Sequence, residues 1–376
     1  MDWKKTKKHT EPMQEPTEAH KSPQGSDTAN SAAPENILIE RMFATVGEFQ
    51  ISYQTSGSGF PVLLIHGLGA SSVTWKQTIK ALAPQFCVFA PDMPGCGESD
   101  APETEYSIEF LTQSMLKFMD AVGIQKAHVV GHSLGGGVAL GIHQRQPERI
   151  EKLALVSSAG LGKAMHWLLR MCSLPGAPKI ITFLSSPQSL APQASRAFEQ
   201  RRMRRLRAEY DPAAPTVLEK LRSPEIRRAF LRMLRESSGI NGQRVSATPY
   251  IMNIQNPVLI VWGAKDQTIP VLHGIAAATL IPNAHLEIIP KCYHRPPVES
   301  PSEFNSILEN FLLAEVWPPE SAGNEEERKS RAKRLLRAKT IRRRIGQIAT
   351  PAAIVLAGAV SAFLGAGIRK IGKSAK

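Results

Sequence analysis

Cysteine is scarce and scattered. Cys87, Cys96, Cys172 and Cys292 are the only four in 376 residues, and no C-x-x-C pair occurs. That spacing excludes a disulfide-stapled scaffold and a structural zinc site, and it reads as reduced thiols in a reducing compartment. No pair of histidines has a metal-ligand spacing, so neither a metal nor another cofactor is expected. The N-terminal stretch has no apolar run behind Lys4, Lys5, Lys7 and Lys8, which speaks against a secretory signal peptide. Residues 1–36 are rich in Lys, Glu, Pro, Ser and Thr and have almost no apolar periodicity. They are expected to be a disordered polar tail.

What is present suits a globular protein. The apolar fraction of 42% allows a sizeable core, and the length suits one large α/β domain with an insertion, or two domains. The net charge of +13 is unevenly spread. Residues 161–247 hold 16 basic and 6 acidic side chains, and residues 317–376 hold 14 and 4. Residues 1–36 hold 5 and 6, and the remainder is net acidic. Basic charge gathered in an insertion and a tail points to an anionic surface as partner.

The chain is organised around Val129-Val130-Gly131-His132-Ser133-Leu134-Gly135-Gly136-Gly137. A short apolar strand, Ala127–Val130, precedes it, and a helical pattern through Val138, Leu140 and Ile142 follows. A Ser between glycines where a buried strand turns into a helix reads as a nucleophile elbow. The turn is so tight that residues two before and two after the Ser must be small, as Gly131 and Gly135 are. The helix N-terminus beneath the Ser favours developing negative charge.

Around this elbow strands and helices alternate. Strands are expected at Ile37–Phe43, Phe49–Gln54, Pro61–Ile65, Phe86–Ala90, Leu153–Val156, Pro257–Trp262 and Leu286–Ile289. Helices are expected at Val73–Leu82, from Ser107 to Gly123, and from Pro301 to about Val316. The first and second core segments are thus 37–160 and 248–316. Between them, residues 161–247 show helical patches but no buried strand, and read as a basic helical cap. Ser223-Pro224-Glu225 is a strong helix start there, with Ile226, Phe230, Met233 and Leu234 on its apolar face. Met203, Leu206 and Tyr210 mark a second helical face, flanked by five arginines.

Strands alternating with helices imply a mainly parallel sheet with helices on both faces. Ligands of such sheets bind beyond the strands' carboxyl ends. Leu68, Ser133, Asp266 and His294 all fall at such ends, on four separate strands. Asp92, also at a strand end, is expected to hold its turn through side-chain to backbone hydrogen bonds. His66 and His132 are expected to shape the site, whereas packing or exposure accounts for His143 and His285.

Residues of about 37–316 resemble an α/β-hydrolase with a helical cap and an eight-stranded type of sheet. The resemblance lies in His66-Gly67-Leu68-Gly69, the Asp92–Ser99 stretch, Gly131-His132-Ser133-Leu134-Gly135-Gly136, Trp262-Gly263-Ala264-Lys265-Asp266, and His294-Arg295-Pro296-Pro297-Val298-Glu299-Ser300-Pro301. Tyr293 stands where the family usually has Gly. The resemblance implies Ser133 as nucleophile, Asp266 as acid and His294 as base, in the chain order Ser, Asp, His. It also implies the backbone N–H groups of Leu68 and Leu134 as oxyanion donors. Ser at the elbow differs from the dehalogenase and epoxide hydrolase branches, which use Asp there. His132 resembles esterases and lipases, whereas C–C bond hydrolases more often carry Asn. The expectation is carboxylic-ester hydrolysis of a small-molecule or lipid ester through an acyl-enzyme. C–C hydrolysis and acyl transfer on the same residues are alternatives. A non-catalytic scaffold on the same fold is a further alternative.

In the tail, Glu325-Glu326-Glu327 opens a helical pattern, and Arg328–Arg344 is strongly basic. Ile345–Ile368 then carries no charged residue. Such a run is long enough for a hydrocarbon core of about 30 Å. Ala357, Ser361 and Gly365 recur every fourth residue, as close helix contact in lipid requires. The tail is expected to bind an anionic membrane surface as an anchor or interfacial helix. The basic cluster before the run is expected to keep the globular part on the cytoplasmic side. A soluble cytoplasmic protein is the alternative, with the tail as a helix that packs on a partner protein. No nucleic acid partner is expected, since such an arm needs no apolar run.

Overall fold

The computed structural model describes residues 37–206, 215–247 and 250–317. The polar N-terminal tail, Tyr210, Arg328–Arg344 and Ile345–Ile368 lie outside the described residues.

Eight strands form one sheet: β1 (Glu40–Val46), β2 (Phe49–Ser56), β3 (Phe60–Ile65), β4 (Phe86–Pro91), β5 (Ala127–His132), β6 (Ile150–Val156), β7 (Val258–Gly263) and β8 (Ala284–Ile289). Their spatial order is 1-2-4-3-5-6-7-8. β2 runs antiparallel to both β1 and β4, and every other pairing is parallel. Helices α1 (Lys76–Leu82), α2 (Ile108–Ala121) and α3 (Leu134–Arg145) join the early strands. Between β6 and β7 lie α4 (Trp167–Cys172), α5 (Ala177–Ser185), α6 (Ala191–Leu206), α7 (Val217–Lys220) and α8 (Pro224–Ser237). Then α9 (Leu272–Leu280), α10 (Pro296–Glu299) and α11 (Pro301–Leu313) complete the described helices.

The continuous apolar run of β3 is explained by cover on both faces. Leu63 and Ile65 pack with Met115, Phe118, Val138 and Ile142 of α2 and α3. Val62 and Leu64 pack with Ile79, Leu82, Phe304, Leu308 and Phe311 of α1 and α11. Alternate side chains therefore enter opposite cores, and a strand with no solvated face has no polar position. All four are fully buried, each contributing about 1.5–3 kcal/mol of hydrophobic stabilisation. The insertion has a far smaller core, Ala177, Ile181 and Leu221 with Phe230 and Leu231 against them. It relies on polar links instead. Thr216 and Glu219 form a capping box on α7, and Glu219 accepts from Arg196 of α6 at 2.8 and 2.9 Å.

Three expected elements are placed differently. The first strand begins at Glu40 and runs to Val46, because its register with β2 is set by the tight turn at Gly47. The helix expected at Val73–Leu82 opens with a 3-10 turn, Ser72–Trp75, where the buried Asp92 carboxylate takes the Ser72 amide at 2.6 Å. The helix from Pro301 stops at Leu313. There the buried Lys152 ammonium donates to the carbonyls of Phe311, Leu312 and Ala314 at 3.0, 2.8 and 2.6 Å, a cation at the favourable end of a helix. In the insertion the described strand structure is a two-residue hairpin, Ser238–Gly239 with Gly242–Gln243.

Candidate active site

Ser133 sits between β5 and α3 with φ 54° and ψ −119°, a conformation that costs a non-glycine residue of order 1–3 kcal/mol. The surroundings hold it there. Its amide donates to the Val156 carbonyl at 2.9 Å, and its carbonyl accepts from Gly136 and Ala159 at 3.0 and 2.9 Å. A Cβ on Gly131 would meet the Gly135 carbonyl at 2.4 Å, and one on Gly135 would meet the Ile65 carbonyl at 2.3 Å. The small residues are thus required by backbone packed against backbone.

The other strand ends converge on this point. Ser133 Oγ lies 3.0 Å from His294 Nε2. His294 Nδ1 lies 2.8 Å from Asp266 Oδ2. The second Asp266 oxygen accepts from the Thr268 and Ile269 amides at 2.8 and 3.0 Å, which aims the first at the imidazole. The Asp266 side chain is fully buried and that of His294 is half-buried at the cleft. With Nδ1–H directed at a carboxylate, Nε2 is the free base facing the hydroxyl. Gly263 makes the approach of β7 to the His294 loop possible, since a Cβ there would lie 1.8 Å from the Tyr293 carbonyl.

Two histidines frame the cluster. His132 Nε2 donates to the His294 carbonyl at 2.8 Å. Burial, reinforced by the neighbouring His294, pushes the His132 pKa down to about 3, so it brings no charge against an imidazolium. The His66 Nε2 accepts from the Met93 amide at 2.9 Å and its Nδ1 donates to the Gly67 carbonyl at 2.9 Å. Burial lowers its pKa also. His66 therefore ties the ends of β3 and β4 together in one tautomer. Gly67 in turn passes so close to the elbow that a Cβ on it would lie 2.9 Å from that of Ser133. Leu68 follows it, and Leu134 is the first residue of α3. Among the described residues neither amide donates to a protein acceptor. Asp92 is held as the sequence suggested. Its oxygens accept from the Ser72 and Glu98 amides at 2.6 and 3.0 Å.

A cleft of about 900 Å³ opens over Ser133 and His294, lined by Gly67, Leu68 and Ser71 on the core side and by Glu199, Thr216 and Lys220 on the cap side. The sequence reading missed the cap residues. It also missed a charged cluster that joins α6 to the His294 loop. Arg202 is ion-paired with Glu299, and Arg295 with Glu199. Arg202 Nη1 and Glu199 Oε2 are 3.6 Å apart. Glu299, fully buried, also accepts the Tyr293 amide at 2.6 Å, and the Arg202 guanidinium lies 5.1 Å over the Tyr293 ring. The aromatic residue at this position thus gives the cap a cation–π contact beside His294. Arginine density in α6 was the only sequence signal for this cluster.

A fully buried carboxylate, an imidazole and an elbow serine in line on an eight-stranded, mostly parallel sheet define an α/β-hydrolase arrangement. A family model described as the alpha/beta hydrolase fold matches residues 61–301, and the chain belongs to that family. It is 34% identical over 273 residues to an uncharacterised protein of Mycobacterium tuberculosis, covering 72% of this chain and 80% of the relative. It is 30% identical over 281 residues to a 2-hydroxymuconate semialdehyde hydrolase of Pseudomonas putida, covering 70% and 91%. Among solved structures it is similar to a meta-cleavage product hydrolase of Pseudomonas fluorescens, with a TM-score of 0.58 and 26% identity over 72% of this chain and 97% of that one.

Proposed function

We propose that the protein is a serine hydrolase that cleaves a carboxylic ester through an acyl-enzyme. The observation that supports this best is the unbroken chain from Asp266 Oδ2 through His294 to Ser133 Oγ, at 2.8 and 3.0 Å. A serine hydroxyl is a weak nucleophile until a base takes its proton. In this reading Ser133 Oγ attacks the ester carbonyl carbon as His294 Nε2 accepts the proton. The carbonyl oxygen becomes an oxyanion, which the Leu68 and Leu134 amides stabilise. Collapse breaks the bond to the alkoxy oxygen, and His294 returns the proton to the departing alcohol. Water, deprotonated by His294, then attacks the acyl carbon and releases the acid and free Ser133. Asp266 fixes the imidazole tautomer and stabilises the imidazolium formed in each half-reaction.

A fluorophosphonate probe tests the reading. Wild type is expected to label at Ser133, and Ser133→Ala to lose labelling and about 10⁶-fold in kcat on an ester panel of graded chain length. Absence of labelling in wild type would instead favour a non-catalytic scaffold. A second reading is hydrolysis of a C–C bond beside a carbonyl, favoured by the likeness to a 2-hydroxymuconate semialdehyde hydrolase and to a meta-cleavage product hydrolase. Turnover of a meta-cleavage semialdehyde faster than any ester would select it.

The reaction is proposed to occur at an anionic membrane surface reached by Arg328–Arg344 and Ile345–Ile368. Among the described residues no helix is long and apolar enough to cross a membrane, and the tail lies outside them. Fractionation of the full chain against one lacking residues 328–376 tests this. Equal partition of both forms at low and high salt would remove the membrane from the proposal.

A further inference from the structure

Lys220 is an unusual residue to find in this cleft. It ends α7, lines the cavity with Ser133 and His294, and points its ammonium at the core side. There Nζ donates to Ser71 Oγ at 3.2 Å. An ammonium carries three donors, and among the described residues no carboxylate lies within 4.0 Å of it. Burial disfavours its charge, and Asp92 is a carboxylate that favours it from beyond ion-pair range, but both Asp92 oxygens are already engaged by the Ser72 and Glu98 amides and by Arg41 at 3.4 Å. Ser71 is itself buried. A desolvated cation with one neutral partner is costly unless something of opposite charge meets it. The cationic contrast is local, because the nearby Arg202 and Arg295 are each neutralised by a glutamate.

We infer that Lys220 and Ser71 form an anion subsite at one end of the cleft, and that the substrate carries a carboxylate that is held there while its reacting carbonyl lies at Ser133. The inference rests on the hydrolase reading for the identity of the reacting molecule. The subsite itself stands on the placement of Lys220. The ammonium and the Ser71 hydroxyl supply charge and a directional contact to the same oxygen pair. A charged substrate end buried against them would be discriminated strongly from its neutral isostere, because the neutral one leaves the cation unmet.

The test is protection of Ser133 in the full-length protein from a fluorophosphonate by glutarate, with glutaramide as the neutral control at matched ionic strength. Glutarate is expected to protect wild type and glutaramide not. In Lys220→Met the protecting concentration of glutarate is expected to rise about 10- to 100-fold, the loss typical of a hydrogen bond to a charged group. Lys220→Arg, which preserves the charge, is expected to retain protection and shows that the site tolerates substitution. Equal protection by the two compounds, or glutarate protection unchanged in Lys220→Met, overturns the subsite. If wild type does not label at all, the hydrolase reading fails by itself. Calorimetric titration of glutarate into wild type and Lys220→Met then decides the subsite separately: weaker binding to the variant upholds it, and equal or absent binding to both overturns it.

Discussion

Two aspartates follow two parallel strands of the same sheet, Asp92 after β4 and Asp266 after β7, and both are buried. What separates them is where their oxygens go. Asp92 gives one oxygen to the Ser72 amide and the other to the Glu98 amide and Arg41. Asp266 gives one oxygen to two backbone amides and keeps the other for an imidazole. The histidines repeat the contrast. His66 has both ring nitrogens on backbone groups, whereas His294 has both on side chains. A buried polar group whose lone pairs are taken up by backbone groups, with at most a fixed arginine beside them, serves the loop's shape. One that keeps a lone pair for a side chain at the cleft can orient a proton there, as a carboxylate does, or accept one, as an imidazole does. Position at a strand end does not distinguish the two roles; the disposition of the lone pairs does.

The sharpest way to break this comparison is to change each carboxylate to its amide. Asp266→Asn keeps an oxygen for the Thr268 and Ile269 amides but turns an NH₂ group towards His294. The imidazole then adopts the other tautomer, with its proton directed at Ser133 Oγ. A loss of about 10⁴-fold in kcat is expected, as for the same change in a comparable site, with a melting temperature close to wild type. Steady-state hydrolysis and differential scanning calorimetry together check this. A variant that retained most of its turnover would remove Asp266 from the proposed mechanism.

Asp92→Asn is expected to do the reverse. The amide still accepts one backbone N–H, but its NH₂ faces either the Ser72 or the Glu98 donor, and Arg41 loses one of its two carboxylate partners and keeps Glu98. Leaving a buried donor unsatisfied costs about 1–3 kcal/mol, so a loss of roughly 2–3 kcal/mol in unfolding free energy is expected. Chemical denaturation measures it, and turnover of the folded fraction should fall far less than for Asp266→Asn. Comparable catalytic losses in the two variants would erase the distinction.

The legibility of the chain follows the same division. The strands of the core and the residues at their ends could be read from the sequence because glycine marks each close approach. Gly131 and Gly135 bracket Ser133, and Gly263 precedes Asp266 where β7 meets the His294 loop. Local sequence therefore carried the local geometry. The cap was legible only as helical and basic. Glu199, Arg202 and Lys220 matter through contacts with Arg295, Glu299 and Ser71, far away in the chain. Helical periodicity reports which face is apolar, and these side chains belong to a polar face whose partners depend on how the insertion folds back. The 3-10 turn at Ser72–Trp75 was hidden for a similar reason, since the group that takes its first amide is Asp92.

The comparison extends, with a smaller effect, to two histidines of β5. His132 borders Ser133, whereas His128 lies between the rings of Phe60 and Phe86, at 4.7 and 5.8 Å. Burial lowers both pKa values, to about 3 for His132 and to about 4 for His128. Unfolded, each returns to about 6.5. Between roughly pH 6.5 and 4 the unfolded chain therefore binds protons that the folded chain excludes. Stability contributed by the neutral rings is full above the unfolded value and is lost as the pH falls towards the folded ones. Each group contributes a slope of up to about 1.4 kcal/mol per pH unit. His128→Phe places a non-titrating ring in an aromatic setting, so it should remove one such contribution and flatten the acid limb of stability against pH. Urea unfolding at several pH values between 4 and 7 reads the slope. Ester turnover at neutral pH should stay near wild type, because His128 contacts the core rather than the cleft. An unchanged slope would mean that the His128 site is as proton-accessible folded as unfolded, and that burial against Phe60 and Phe86 does not exclude the charged ring.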